Sequence, residues 1–359
     1  MEYAPTMKAR TVRRVLIATA VVGVVATAVV LYRRRQPHLP AKPVGRTRSK
    51  YPLLIVNPHS GSGKAQKYGL VDAASDLGIE TVQGRGHKHL KKLAKKAIKA
   101  GADHLLVGGG DGSLAAVAKV AIKHGIPMSV VPVGTRNHFA MDLGLDRSNP
   151  LEALQAAFDG TEVRIDVGRI GRKLFLNNVS FGLYADAIAD PGYRSHRAKS
   201  VVEATVDTVE HPDTQLSVTL PDGTEQGEIE MLLASNNPYS FIGPPDHAGR
   251  ASLDNGILGV ILADRTGDNT PRPDHTTLTR WNAPTITVAS DEATIPVGVD
   301  GSLRTFDSPV EVGVDSAALR VVLPNSVAAR ELHDESTHAN SDALEHLGTV
   351  RASGQADDD

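Results

Sequence analysis

Val107-Gly108-Gly109-Gly110-Asp111-Gly112-Ser113 decides how this chain is read. The apolar run Leu105-Leu106-Val107 in front of it has the character of a buried strand end. Leu114-Ala115-Ala116-Val117-Ala118-Lys119-Val120 behind it has the character of a helix. Glycines at a strand-to-helix turn let the backbone approach a bulky anion and aim N–H groups at it, at the positive end of the helix dipole. An acid inside such a loop repels phosphate unless it serves a cation or a moving proton. The pattern therefore points to phosphate chemistry assisted by a metal, the other reading of the glycines being a sharp turn and nothing more.

Two further glycine-bearing turns flank this one. The short apolar run 53–56 ends in Asn57-Pro58-His59-Ser60-Gly61-Ser62-Gly63-Lys64, followed by a helix over 65–77 and a strand near 79–82. Residues 87–100 predict a helix with Leu90, Leu93, Ala94, Ala97 and Ile98 on one face and lysines around the rest. The strand 104–107, the loop quoted above, a helix to about 124 and a strand over 128–131 follow. Then Pro132-Val133-Gly134-Thr135-Arg136-Asn137 opens a helical stretch, 139–143. Such alternation predicts a parallel sheet with helices on its faces, and in such sheets ligands bind at the carboxyl ends of the strands, where all three loops lie.

The character changes near residue 161. Short β-rich runs over 163–170, 174–179, 215–220, 229–234, 258–263, 285–289 and 319–323 are separated by turns such as Pro221-Asp222-Gly223 and Asp254-Asn255-Gly256. They predict a β-rich, sandwich-like second domain, with one helical interruption near 198–209. The fold class is thus α/β, a parallel-sheet domain over 51–160 followed by the β-rich domain over 161–326.

The chain of 359 residues is long enough for two domains, and its 41% hydrophobic and 22% charged residues are ordinary for globular protein. A net charge of −2 gives no reason to expect a nucleic-acid partner, and the absence of cysteine excludes a disulfide framework or a thiol nucleophile. Residues 15–32 are an uncharged stretch of 18 between Arg13-Arg14 and Arg33-Arg34-Arg35. As a helix it reaches about 27 Å, close to a hydrocarbon core of roughly 30 Å. This predicts a single-pass transmembrane helix after a basic segment at 1–14 and before a basic linker at 33–50. The larger number of Lys and Arg after the span favours a cytoplasmic catalytic domain at the cell membrane. The acidic tail, 327–359, has the composition of a disordered segment.

Gly61-Ser62-Gly63-Lys64 lacks the glycine spacing of a Walker A loop, since Pro58 stands where the first glycine belongs. Lys64 is then a phosphate contact in another geometry or a solvated lysine at a helix start. Thr135 and Asn137 suit ribose or phosphate contacts, or capping of the helix beginning near His138.

Taken together, Asn57-Pro58-x-Ser60-Gly61-x-Gly63-Lys64, Gly109-Gly110-Asp111-Gly112-Ser113 and Pro132-x-Gly134-Thr135-x-Asn137-x-Phe139-Ala140 resemble the diacylglycerol kinase catalytic domain family in order and spacing. That family includes sphingosine kinases and bacterial lipid kinases. The resemblance continues more weakly through Leu253-Asp254-Asn255-Gly256 and Val299-Asp300-Gly301, so it spans roughly 51–323. It implies ATP-dependent phosphorylation of a lipid hydroxyl with Mg²⁺, the nucleotide lying between the α/β domain and a lipid-binding β-rich domain. By the same resemblance Asn57, Ser60, Gly61, Lys64, Gly109, Gly110, Asp111, Gly112, Ser113, Gly134, Thr135 and Asn137 form the nucleotide site. Asp300 is the implied general base, and Asp111 contacts the magnesium nucleotide or accepts the hydroxyl proton. Asp254 is a further candidate for the metal. Phosphoryl transfer needs this inventory: positioning, cationic relief of charge, and one base aimed at the nucleophile.

The sequence departs from the family at four places. Ser113 stands for the usual Thr, Arg136 for a small residue, Ser302 for the Glu after Asp-Gly, and Asn255 for an Asp. The last two remove carboxylates, so a nucleotide- or lipid-binding protein impaired in catalysis stays open, as does an NAD kinase-like small-molecule kinase. The lysines of 87–100 suit an anionic surface or a plain solvated face. The 14 histidines include no ligand set with metal spacing, and no Gly-x-Ser-x-Gly element is present.

Overall fold

Apolar runs alternating with amphipathic stretches order the N-terminal half of the protein. Its computed structural model describes residues 39–182, 215–240, 249–250, 252–264 and 277–327. In chain order come β1 (Pro43–Thr47), β2 (Pro52–Val56), α1 (Lys64–Lys67), α2 (Leu70–Asp76), β3 (Glu80–Gln83) and α3 (Gly86–Lys99). They are followed by β4 (His104–Gly109), α4 (Asp111–His124), β5 (Met128–Pro132) and α5 (His138–Asp142). A 3-10 helix, Pro150–Ala157, leads into the second half.

Strands β3, β2, β4 and β5 lie side by side and parallel, with Val56 opposite Gly108 and Gly109 opposite Pro132. Both faces of this sheet are covered, which is why its strands are apolar throughout. Leu53, Ile55, Leu105 and Val107 face α3 and α4, while Leu54, Val56 and Leu106 face α2 and the 3-10 helix, the strand period of two dividing them. On α3 the residues Leu90, Ala94 and Ala97 are buried. Full burial of a leucine such as Leu90 stabilises by about 2 kcal/mol. The helix expected over 65–77 is split in two, because Gly69 takes a left-handed φ of 59°. Gly125, at φ 65°, ends α4.

The second half contains β6 (Gly160–Ile170), β7 (Lys173–Phe175), β8 (Asn178–Gly182), β9 (Leu216–Thr219), β10 (Glu225–Asn236), β11 (Tyr239–Ser240) and β12 (Gly249–Arg250). Then come β13 (Leu258–Asp264), β14 (Thr277–Ala283), β15 (Thr285–Ser290), β16 (Thr294–Val299), β17 (Ser302–Asp307) and β18 (Val310–Pro324). Antiparallel pairing dominates here, around a core that includes Phe175, Phe181, Leu232, Val288 and Val297.

The two halves are not separate sheets. Long β18 pairs along β6, and its far end runs parallel to β5 at Val321 opposite Met128. One hydrogen-bonded path therefore runs from β17 to β3. The sequence suggests a β-rich region that simply follows the α/β region, but β18 returns to pair with β5, whose amides and carbonyls need partners when buried. Residues 43–47 of the basic linker also differ from expectation, forming a strand antiparallel to β6. That strand is mostly exposed and polar, so no apolar periodicity marks it. Residues 1–38, with the membrane span expected at 15–32, the helical interruption near 198–209, and 328–359 of the acidic tail lie outside the described residues. Among the described residues no helix is long and apolar enough to cross a membrane.

Candidate active site

The three glycine-bearing loops leave β2, β4 and β5 at one edge of the parallel sheet and pack backbone to backbone. A Cβ on Gly61 would come within 2.4 Å of the Val133 carbonyl oxygen, and Gly61 itself has φ 58°. A Cβ on Gly134 would fall 2.3 Å from the Gly110 Cα. Side chains with a Cβ would push the loops apart, so glycine is required for contact here rather than for turning alone. Asn57 ties the first loop to the second, its Nδ2 donating to Ser113 Oγ at 3.3 Å and its backbone N–H to the Gly108 carbonyl at 2.9 Å. Ser60 lies beside Gly109 in the same wall, 3.7 Å from the position of a Cβ there. The first amides of α4, at Asp111 and Gly112, have no partner within the helix.

Asn137 is fully buried and serves its own loop. Its Oδ1 accepts from the Gly134 amide at 2.9 Å, and its Nδ2 donates to the carbonyls of Gly134 at 2.9 Å and Pro132 at 3.3 Å. It does not cap α5 through its side chain; it fixes the shape of its own loop. Thr135 and Arg136 are exposed at the loop tip. Lys64 is half-buried at the start of α1, just beyond Gly63 with its φ of 82°.

Asp111 joins the second loop to α5. Its carboxylate accepts from the His138 amide at 3.3 Å and the Phe139 amide at 3.1 Å. An ionised carboxylate has about four acceptor sites, so these contacts leave capacity for a cation. His138 is held below the ordinary histidine range mainly by burial, opposed by the nearby charges of Asp111 and Asp142.

In the second half, β16 and β17 form a hairpin in which Val299 pairs with Ser302, leaving Asp300-Gly301 as a two-residue turn. Both turn residues have positive φ, 46° and 71°, the conformation that favours Asp-Gly in type I′ hairpins. The Asp300 carboxylate accepts from three successive amides, Leu176 at 2.9 Å, Asn177 at 2.8 Å and Asn178 at 3.3 Å. Burial pushes its pKa up to about 6; the three amides oppose this, and the charge of Asp111 adds to it. The fold thus brings the two sequence-predicted acids within electrostatic reach from opposite halves of the molecule.

Asp254 stands apart. Its carboxylate meets the Lys42 amide at 3.1 Å and the hydroxyl of Ser252, against the N-terminal segment. The turn that carries it is tied to β6, since Asp166 accepts from the Gly256 amide at 2.6 Å and the Ala317 amide at 2.8 Å. Among the described residues no group of three or more His, Asp or Glu gathers as a ready-made metal site. Asp111 still presents the carboxylate oxygens that magnesium prefers.

Several residues of the site escape the sequence. Buried Arg250 pairs with Asp142 at the end of α5 and reaches the 176–177 segment that cradles Asp300. A lone acid among buried Phe139, Ala140 and Leu143 was the available signal for Asp142, because a charge on an apolar face needs a buried partner. Asn178 donates to the Tyr239 hydroxyl at 3.2 Å near the same cradle.

A basic face adjoins the second loop. His87 of α3 packs on the second loop, its Nε2 only 2.8 Å from where a Cβ on Gly112 would lie. Its pKa is lowered by burial and by the charges of Arg304 and Lys91. Lys91 is lowered by burial and by Lys119, Lys173 and Lys95. Lys119 donates to the Arg172 carbonyl at 3.1 Å, and Lys173 lies 5.8 Å from the Phe306 ring centre. Cations from α3, α4, β7 and β17 therefore share one surface.

Residues 52–170 match the family model of the diacylglycerol kinase catalytic domain. The chain is 33% identical over 222 residues to a diacylglycerol kinase of Mycobacterium tuberculosis, covering 58% of this chain and 72% of that protein. It is 36% identical over 181 residues to a YegS-like lipid kinase homologue of Pseudomonas aeruginosa, covering 48% of this chain and 58% of the other. A solved diacylglycerol kinase structure from Bacillus anthracis str. Sterne aligns with a TM-score of 0.55 at 19% identity, over 78% of this chain and 99% of that one, which is a likeness of fold.

Proposed function

This chain belongs to the diacylglycerol kinase family and is a lipid kinase, and we propose that it transfers the terminal phosphoryl group of ATP to a lipid hydroxyl in the cleft between Asp111 and Asp300. The observation that carries this reading is the convergence of a three-loop glycine wall and a second acid of raised pKa from the opposite half of the fold.

In this reading the amides at the start of α4 and the backbone of residues 133–137 hold the nucleotide phosphates, with Lys64 beside them. Asn57, Ser60 and Ser113 shape the wall. Bound Mg²⁺ would neutralise charge on the phosphate oxygens, with Asp111 as its protein contact. Asp300 accepts the proton of the attacking hydroxyl. A base poised near pH 6 is ionised at neutral pH yet basic enough to help, and its three amide partners fix its direction.

The substrate is a diacylglycerol-like lipid met at the cell membrane. The apolar span in the sequence at 15–32 would anchor the chain, with the catalytic region on the cytoplasmic side, and the basic face beside the cleft suits an anionic bilayer. The test is incubation of the full chain with γ-labelled ATP, Mg²⁺ and a total lipid extract. Label in the organic phase supports the reading, whereas label on NAD⁺ alone overturns it.

A further inference from the structure

The carboxylates of Asp111 and Asp300 are joined by a continuous set of contacts that runs through neither loop alone. Asp111 accepts the first two amides of α5. Four residues on from His138, at the other end of that helix, Asp142 pairs with Arg250 through Nε at 2.9 Å and through Nη2. The Arg250 side chain is fully buried and also donates from Nη1 to the carbonyls of Leu176 at 2.7 Å and Asn236 at 2.8 Å, and from Nη2 to Asn177 Oδ1 at 3.1 Å. Leu176 and Asn177 are the residues whose amides hold Asp300. The same two residues are thus gripped on one side by a guanidinium and on the other by the candidate base.

We propose that Arg250, braced by Asp142, is a positioning residue that fixes the Leu176–Asn178 amides and so sets where the Asp300 carboxylate stands relative to Asp111. The assignment rests on the kinase reading of the cleft. A buried ion pair is weak evidence for stability, since apolar residues of similar volume do as well or better. Its geometry here explains more. A planar fork meets a carboxylate and two peptide oxygens at fixed angles, which a lysine point charge does not reproduce. Small misplacements of a catalytic group from a distant change cost up to about a hundredfold in rate.

The experiment compares full-length wild type with Arg250→Lys and with the double variant Asp142→Leu/Arg250→Met, per folded molecule. Two readouts are used: the steady-state constants with ATP and lipid, and titration of the Asp300 carboxyl by carbon NMR. With the amide cradle loosened, kcat falls roughly 10- to 100-fold. KM for ATP stays within about threefold, and the Asp300 midpoint rises above its wild-type value as amide donors are lost. The double variant folds without a buried unpaired charge yet shows the same two changes. An unshifted or lowered midpoint with wild-type kcat in folded Arg250→Lys contradicts the positioning role. If wild type phosphorylates no lipid, the kinase reading fails, and the NMR titration still decides whether Arg250 governs Asp300.

Discussion

Burial raises the pKa of Asp300 and the negative charge of Asp111 adds to it, although one residue opens a helix of the parallel-sheet half and the other turns a hairpin in the antiparallel half. The two acids differ in their surroundings. One is engaged with the first turn of α5 and has capacity for a cation, and the other is held by three amides and titrates close to neutrality.

Asp300 must be ionised to accept a proton, so kcat/KM should fall tenfold per unit as pH drops below about 6, the midpoint of this carboxyl. Asp300→Asn keeps the left-handed turn conformation, removes the limb and lowers kcat by roughly 10²- to 10⁴-fold. A pH–rate profile of wild type with an acidic limb near pH 4 would contradict the assignment.

Gly134 and Gly110 touch, but they should not be equally sensitive. A Cβ on Gly134 would lie 2.3 Å from the Gly110 Cα, whereas a Cβ on Gly110 would meet the Gly134 Cα at an ordinary 3.4 Å. Gly134→Ala is expected to lose roughly 1–3 kcal/mol of stability by overpacking and most nucleotide affinity. Gly110→Ala should keep the stability largely intact. Thermal melts and ATP titration calorimetry on the two variants check the contrast.

His104 is fully buried, its Nε2 hydrogen-bonded with Ser129 Oγ at 3.0 Å while Nδ1 has no partner among the described residues. Burial lowers its pKa from 6.5 to about 4. The unfolded chain therefore binds a proton more readily, so this contribution to stability is complete above pH 6.5 and is lost as pH falls through 4, on the order of 3 kcal/mol. Asp300 acts with the opposite sign between 3.8 and about 6, which makes the difference between wild type and His104→Gln the informative quantity. Denaturant melts from pH 7 to 4 should show that difference changing; a constant difference would refute it.

The basic face should matter only where the bilayer is anionic. Lys91→Glu/Lys173→Glu/Arg304→Glu is expected to lower activity more than tenfold on substrate vesicles containing phosphatidylglycerol, each basic residue contributing about 1 kcal/mol near such a surface. In neutral detergent micelles the loss should be small. Equal losses in both would place these residues in catalysis or folding instead.

Much of this site is legible in the sequence because its parts are local. Gly108-Gly109-Gly110-Asp111 follows an apolar strand, and Asp300-Gly301 carries the composition of a type I′ turn. The role of Asn137 is less legible, since an asparagine before a helix suggests a cap or a ligand contact and only the fold shows its amide closing its own loop. Arg250 and Asp142 are far apart in the chain and share no periodicity, so their pairing appears only in three dimensions. The return of β18 to β5 is hidden for the same reason: an apolar run announces burial without naming its partner.

The central claim is that a lipid hydroxyl is phosphorylated from ATP between Asp111 and Asp300, and a matched single-turnover assay tests it most directly. Wild type and Asp300→Asn are loaded with γ-labelled ATP and Mg²⁺, then mixed with diacylglycerol in vesicles. The account predicts labelled lipid from wild type, at least a hundredfold slower transfer by the variant, and nucleotide binding unchanged in both. Equal transfer rates, or none from either with nucleotide bound, would contradict it.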